Sequence, residues 1–243
     1  MYRQLTVAVV IPCYQERDRL GGVLRAIPGC VDHIVVVDDG STDGTVDIAR
    51  AHASADTRMV ILSHDRNRGP GAAVSTGYGW ALRKQVELVA VIDGDGQADP
   101  LILERLLDPV AGGAADYAKG DRLSYPGGER SIPALRLAGN LILSALTRLL
   151  SGYRDLRDSQ NGYTVIGIKA LRTFDWSRAH SGYGRPLEHL VWLGRHGFRV
   201  ANIPHEPRYG IGERSQMSFP RDIFVIGGLL LQLLVSRAPV ARR

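Results

Sequence analysis

The sequence predicts an α/β fold class, a Rossmann-like, mostly parallel sheet with helices on both faces, and three observations carry that expectation. Four short apolar runs rich in β-branched residues, LTVAVVIP (5–12), DHIVVVDDG (32–40), RMVILSHD (58–65) and ELVAVIDGDG (87–96), each end in polar or acidic residues. Runs of this kind read as buried strands. Helix-like segments, Arg17 to Ile27, Thr45 to His52 and Gly71 to Lys84, lie between them, as crossovers between parallel strands must. The acidic and Gly-rich stretches fall at the carboxyl ends of the runs, where open α/β sheets bind ligands.

The elements follow in order. The first run is short and closed by Pro12 rather than by a small-residue cleavage site, so it reads as a strand and not a signal peptide, and a cytoplasmic location is expected. After Pro100 a helix (Leu101 to Leu107) leads to a strand-like DYAKGDR (116–122) and a Gly/Pro-containing loop, LSYPGGERSIP (123–133). Leu135 to Leu150 reads as an amphipathic helix with Arg136, Asn140, Ser144 and Arg148 four apart on one face. YTVIGIKALRTF reads as a strand and short helix, Pro186 to His196 as a helix, and the proline-containing FRVANIPHEPRYG as an edge strand. The second half is therefore α+β. IFVIGGLLLQLLV (223–235) is shorter than the roughly 18 apolar residues of a spanning helix. It reads as a buried or an interfacial helix, with Arg214, Arg221 and Arg237 nearby.

Of the 243 residues 44% are hydrophobic and 23% charged, which excludes wholesale disorder, and one structural domain is the simplest division. A net charge of +5 suits an anionic partner. No Lys/Arg run with interleaved aromatics appears, so a nucleic-acid partner is not expected. Cys13 and Cys30 lack metal-ligand spacing and are read as reduced, and His64, His180, His189, His196 and His205 show no such spacing either.

Asp93 and Asp95 flank a single glycine at the end of the fourth run. Alone, Asp-Gly-Asp-Gly is a turn sequence. Two carboxylates so placed also suit one hard cation, Mg2+ or Mn2+, completed by phosphate oxygens, and Gln97 offers a further oxygen. IPCYQE puts Pro12, Tyr14 and Glu16 beyond the first run, and VVVDDGSTDGT puts Asp38 and Asp39 beyond the second. A carboxylate there can accept from a nucleobase or ribose, and a ring can lie against a base. Ser41, Thr42 or Asp43 would equally cap a helix. NRGPGAA is neither a dinucleotide fingerprint nor a P-loop, and tight backbone packing explains it better.

In this order and at these spacings, P-C-Y-Q-E, V-D-D-G-S-T-D-G-T, N-R-G-P-G-A-A and D-G-D-G-Q resemble a family 2 glycosyltransferase with a GT-A fold, over residues 5–122. The resemblance implies a nucleotide-diphosphate-sugar donor, UDP- or GDP-linked, a divalent metal and inversion at the anomeric carbon. In the second half D-S-Q-N-G-Y-T-V-I-G-I-K-A-L (158–171), G-D-R (120–122) and Y-G-I-G-E-R-S (209–215) resemble the dolichol-phosphate mannose synthase group, implying a polyprenyl phosphate acceptor. Thr164 and Gln216 stand where that group carries basic residues, with Arg214 the nearest substitute.

Carried onto this chain, the resemblance assigns Pro12, Tyr14, Glu16, Val37 and Asp39 to the nucleoside pocket. Asp93, Gly94, Asp95 and Gln97 would hold metal and diphosphate; Arg122, Arg130 and Arg214 would meet phosphate oxygens. Residues 1–122 become the donor half, 123–218 the acceptor half and 219–243 an apolar helix and tail. A hydroxyl acceptor would need a base, for which Asp158 is the candidate and Glu188 the second, whereas a lipid phosphate needs little or none. Asp158 could instead order its loop. The polar face of Leu135 to Leu150 and the C-terminal apolar segment would together bind a lipid phosphate, placing the enzyme at the inner face of the membrane. Two other readings share the motifs: transfer to a soluble hydroxyl, and nucleotide-sugar binding without turnover.

Overall fold

The computed structural model describes residues 1–207, 226–230 and 233–234. All seven residues of β1 (Val7–Cys13) are buried, as a strand covered on both faces requires. Three helical crossovers follow: α1 (Arg17–Ala26) to β2 (His33–Asp38), α2 (Thr45–Ala53) to β3 (Met59–Ser63), and α3 (Pro70–Arg83) to β4 (Leu88–Val91). β1 pairs in parallel with β2 and β4, and β2 with β3. The register sets Cys13 beside Asp38 and Asp38 beside Ser63. The chain beyond each strand, carrying Tyr14, Asp39, His64 and Asp93, therefore emerges along one edge.

A 3-10 turn, Pro100–Ile102, opens where Asp99 accepts a hydrogen bond from the Leu101 amide at 3.0 Å, and α4 (Leu103–Ala111) continues from it. Then come β5 (Tyr117–Asp121), a turn at Gly128–Ser131, α5 (Ala134–Ser151), β6 (Thr164–Gly167), α6 (Ile168–Leu171), α7 (Arg185–Arg195) and β7 (Val200–Pro204). β6 inserts antiparallel between β4 and β5, and β7 pairs in parallel with β5. One seven-stranded sheet results, ordered β3-β2-β1-β4-β6-β5-β7. The expected mostly parallel sheet is present, and the reversed β6 gives the second half its mixed character. Pro204 ends an edge strand, where a missing amide costs least.

Successive residues of β1 feed opposite cores. Val9 and Ile11 join Leu20, Ile34, Leu103 and Leu106 on one face; Ala8 and Val10 join Val35, Tyr78, Val89 and Leu190 on the other. A Cβ on Gly77 would lie 2.3 Å from Val10 Cγ1, so only glycine lets α3 seat this closely. Val37 belongs to that second core, with Ala73 and Val74, and is fully buried. The expectation that it lines the nucleoside pocket is corrected: the alternation that makes β2 a buried strand turns Val37 into the core.

α5 is amphipathic as expected, but inside out. Asn140, Ser144, Thr147 and Ser151 are buried, whereas Leu135, Leu141, Ile142 and Leu149 are 65%, 51%, 61% and 77% exposed. In the C-terminal apolar stretch, residues 226–230 are helical, and Ile226 and Leu229 pack on Leu187 and Val191 of α7. Arg214, Gln216, Arg221 and Arg237 lie outside the described residues.

Candidate active site

A cleft of about 560 Å3 crosses the carboxyl ends of the parallel strands. β1 delivers Pro12, Tyr14 and Glu16 to it, β2 delivers Asp39, and β4 delivers Asp93, Gly94, Asp95 and Gln97. The turn and site readings of VVVDDGSTDGT divide among its aspartates. Asp38 accepts from the Ser41 amide at 3.2 Å, and Asp43 accepts from the Thr45 amide at 2.9 Å and the Arg17 amide at 3.1 Å. Asp39 alone of the three lines the cleft.

Asp39 also fastens the Gly-rich loop. Its Oδ1 accepts from the Arg68 amide at 2.9 Å and from His64 Nδ1 at 2.5 Å; its Oδ2 accepts from the Gly69 amide at 2.7 Å. His64 Nδ1 therefore donates to that carboxylate, and Nε2 shares a hydrogen bond with Thr76 Oγ1 at 2.9 Å. A carboxylate offers about four lone-pair positions, so Oδ2 can still accept from one donor in the cleft. The loop is packed tightly, since a Cβ on Gly71 would lie 2.2 Å from the His180 carbonyl oxygen.

The acidic pair is under electrostatic stress. Burial raises the pKa of Asp93, and the neighbouring Asp95 raises it further, against smaller opposing contributions from Arg185 and Arg122. Asp95 Oδ1 accepts from the Gln97 amide at 2.9 Å, so the turn reading also holds here. The donors are hard oxygens facing a cleft, which fits Mg2+ or Mn2+. Among the described residues no group of three or more His, Cys, Asp or Glu could hold a metal alone. A cation here would be completed by substrate and water oxygens, as is usual for Mg2+. Glu16, whose pKa burial also raises, accepts from Arg19 Nη1 at 3.0 Å on the adjoining wall.

Across the cleft Asp158 is fully buried and saturated with donors. Arg122 reaches it through Nε at 2.7 Å, Nη2 at 3.0 Å and its amide at 3.1 Å, and Asn140 Nδ2 through 2.7 Å. Burial alone would raise the Asp158 pKa; Arg122, Lys119 and Asn140 outweigh it and hold the group well below the usual carboxylate range. A base needs an available lone pair and an affinity for protons. Asp158 has neither, which corrects its expected role. It orients Arg122, which does line the cleft.

Arg130 is exposed on the Gly128–Ser131 turn and lies outside the lining of the cleft. Glu188 accepts from the His180 amide at 2.7 Å and orders the loop before α7 instead of facing the cleft. Arg214 lies outside the described residues.

Several lining residues escape sequence reasoning. Arg19, Asn67, Tyr183 and His205 all face the cleft. His205 Nδ1 donates to the Glu206 carbonyl at 3.0 Å and Nε2 accepts from Asn161 Nδ2 at 2.6 Å, a neutral ring whose pKa burial lowers. Lys119 is fully buried beneath the wall, donating to the carbonyls of Asp158 and Gly120. The signal for it was present: a lysine at the centre of a fully buried strand, YAKGD. Arg136 and Asn140 of α5 also line the cleft, beside an apolar wall of Ile132, Ile142, Leu143, Leu146, Ile226 and Leu230.

The profile of Glycosyl transferase family 2 matches residues 8–178. The chain belongs to glycosyltransferase family 2. The polyprenol monophosphomannose synthase of Mycolicibacterium smegmatis is 35% identical over an alignment covering 90% of this chain and 84% of its own. A UDP-N-acetylglucosamine dolichyl-phosphate N-acetylglucosaminyltransferase of Methanococcus voltae is 26% identical, covering 84% and 86%. Glucosyl-3-phosphoglycerate synthase of Mycobacterium tuberculosis, solved with Mn2+ and UDP-glucose, superposes with a TM-score of 0.71 at 21% identity over 96% of this chain and 79% of that chain. The last likeness is one of fold, and that fold is GT-A. As a family 2 glycosyltransferase the protein is an enzyme, related to the polyprenyl-phosphate group that the second half resembles.

Proposed function

We propose that this glycosyltransferase moves a sugar, with inversion, from a UDP- or GDP-linked donor to a polyprenyl phosphate, using Mg2+ or Mn2+. The observation that carries the acceptor is the commitment of Asp158 to Arg122. It gives the acceptor side an oriented guanidinium and an apolar wall. The carboxylates in the lining are Glu16, Asp39, Asp93 and Asp95, all from the donor strands or the turns that follow them. An ionised phosphate on an apolar tail suits such a wall, whereas a hydroxyl needs a base. The relatives act on lipid phosphates by their names, in agreement with this reading.

In this reading Tyr14 and Asp39 receive the base, Asp39 through its remaining lone pair on Oδ2. Asp93 and Asp95 would hold the cation, which would supply the positive charge that offsets the leaving diphosphate. Arg122, held by two nitrogens on Asp158, meets the acceptor phosphate as a planar fork and aligns its oxygen with the anomeric carbon. The apolar wall excludes water that would otherwise hydrolyse the donor. The deciding assay supplies labelled UDP- and GDP-sugars with Mn2+ to polyprenyl phosphate and, separately, to soluble hydroxyl acceptors. Labelled, solvent-extractable lipid is expected. Product on a hydroxyl acceptor alone would overturn the reading.

A further inference from the structure

Asp39 enters the cleft at the end of β2, and His64 meets it from the end of β3. The register sets Asp38 beside Ser63, and the His64 amide donates to the Asp38 carbonyl at 2.9 Å, so Asp39 and His64 leave the sheet side by side. Both side chains are enclosed, with 3% of the aspartate and 7% of the histidine exposed. Although β3 is an edge strand, His64 turns inward and bridges two elements. Its Nδ1 reaches Asp39 Oδ1 at 2.5 Å, and its Nε2 reaches Thr76 Oγ1 of α3 at 2.9 Å. The residue after Thr76 is Gly77, where α3 seats on Val10 of β1. His64 thus ties the carboxylate to the packed core. The other two donors to Asp39, the amides of Arg68 and Gly69, belong to a loop whose residues 65–68 are exposed.

We infer that His64 is a positioning residue for donor recognition: braced by Thr76, it fixes the Asp39 carboxylate so that the open acceptor position on Oδ2 meets an N–H of the donor's base. Oδ1 is filled by His64 and the Arg68 amide, and Oδ2 already accepts from the Gly69 amide. One of about four lone-pair positions is left for a ligand. The terminal torsion of an aspartate is broad, so the direction of that position is set by whatever holds the other oxygen. The two amides follow the loop; His64 refers the carboxylate to the sheet and to α3. A hydrogen bond onto a carboxylate is also among the stronger ones available for the purpose. His64 is not part of the cleft lining, and it acts through Asp39 and not on the donor. The inference rests on the reading that Asp39 receives the base, and its test separates the two.

The test measures binding of UDP, GDP and pyrophosphate, each with Mn2+, to the full chain and to H64L, H64N, D39A and D39A/H64L, with melting temperatures compared first. For the nucleotide that the wild type binds, H64L is expected to bind about tenfold more weakly, as loss of a hydrogen bond to a charged group does. H64N places an amide nitrogen as far along the side chain as the imidazole Nδ1, and should recover most of that loss. Pyrophosphate has no base, so H64L should bind it as the wild type does, which general damage to the fold would not allow. In the D39A background H64L should add nothing further. Where H64L melts below the assay temperature, T76V carries the test, with a loss of about threefold expected from an unbraced imidazole. Nucleotide affinity equal to the wild type's in H64L, or in T76V where that variant replaces it, overturns the proposal. So does a loss that persists without Asp39, that pyrophosphate shares in full, or that H64N leaves unrepaired. If D39A binds the nucleotide as tightly as the wild type, the base does not meet Asp39 and the reading of the donor pocket fails with the inference. If D39A weakens binding and H64L does not, only the role of His64 falls.

Discussion

Asp158 and Arg122 form a two-point clamp in the cleft wall, Nε to Oδ2 at 2.7 Å and Nη2 to Oδ1 at 3.0 Å, with the carboxylate fully buried. Breaking one side of a buried pair costs about 3–5 kcal/mol because the other charge is stranded. Asp158→Asn should therefore lower stability strongly and slow transfer without shifting the pH profile of the rate, whereas loss of a base would abolish its acidic limb. The folded pKa lies below the unfolded one, so near pH 4 and below the unfolded state binds more protons and the clamp's contribution fades. Melting curves from pH 7 down to pH 3 should bring wild type and variant together as the pH falls.

Lys119 gives the opposite end of the pH scale. Burial lowers its pKa to about 8, against the pull of Asp158 and Asp121. An unfolded lysine titrates near 10.4, so from about pH 8 to that value the unfolded state holds the proton that the folded state has released. Stability contributed by this group rises with pH through that window. Relative to Lys119→Met, the wild type should gain stability between pH 8 and 10, read as a narrowing or reversal of the difference in melting temperature.

Asp93 and Asp95 carry the metal part of the proposal. Asp93→Asn relieves the like-charge stress that raises its pKa, so the metal-free protein should lose little stability or gain some. The same change should remove most of the extra thermal shift that Mn2+ gives in the presence of UDP, and lower kcat/KM by about 100-fold or more, as loss of leaving-group stabilisation does. A Mn2+ response equal to the wild type's would exclude Asp93 as a ligand.

How much of this was legible differs by element. β1 to β4 announced themselves because continuous β-branched runs closed by acids have few other uses, and Pro12, Tyr14, Asp39 and Asp93 reach the cleft simply by following those strands. The reversed β6 was hidden, since a buried strand reads alike in either direction. For α5 the periodicity revealed two faces but not which one meets the protein; that depended on Asn140 finding Asp158, 18 residues away. Asp158 looked like a base because its partner, Arg122, lies 36 residues earlier, and no local pattern encodes that pairing. Val37 was misplaced for a simpler reason: it adjoins the acidic motif but points the other way.

Gly162 tests the site at its narrowest point. A Cβ there would lie 2.5 Å from Asp93 Oδ2, closer than atoms tolerate, and the three atoms nearest to it across the cleft all belong to that one carboxylate. Its backbone is outside the left-handed region that favours glycine, so alanine brings no conformational penalty of its own. The damage from Gly162→Ala should thus fall on Asp93, whose carboxylate must shift from its present place. Misplacing a reacting or charge-stabilising group by about 1 Å costs up to about 100-fold in rate. Mn2+-dependent transfer should fall by that order while the melting temperature of the metal-free protein stays close to the wild type's. If the rate survives, the Asp93 carboxylate need not occupy the place that this structure gives it, and its assignment as a ligand loses its geometric support.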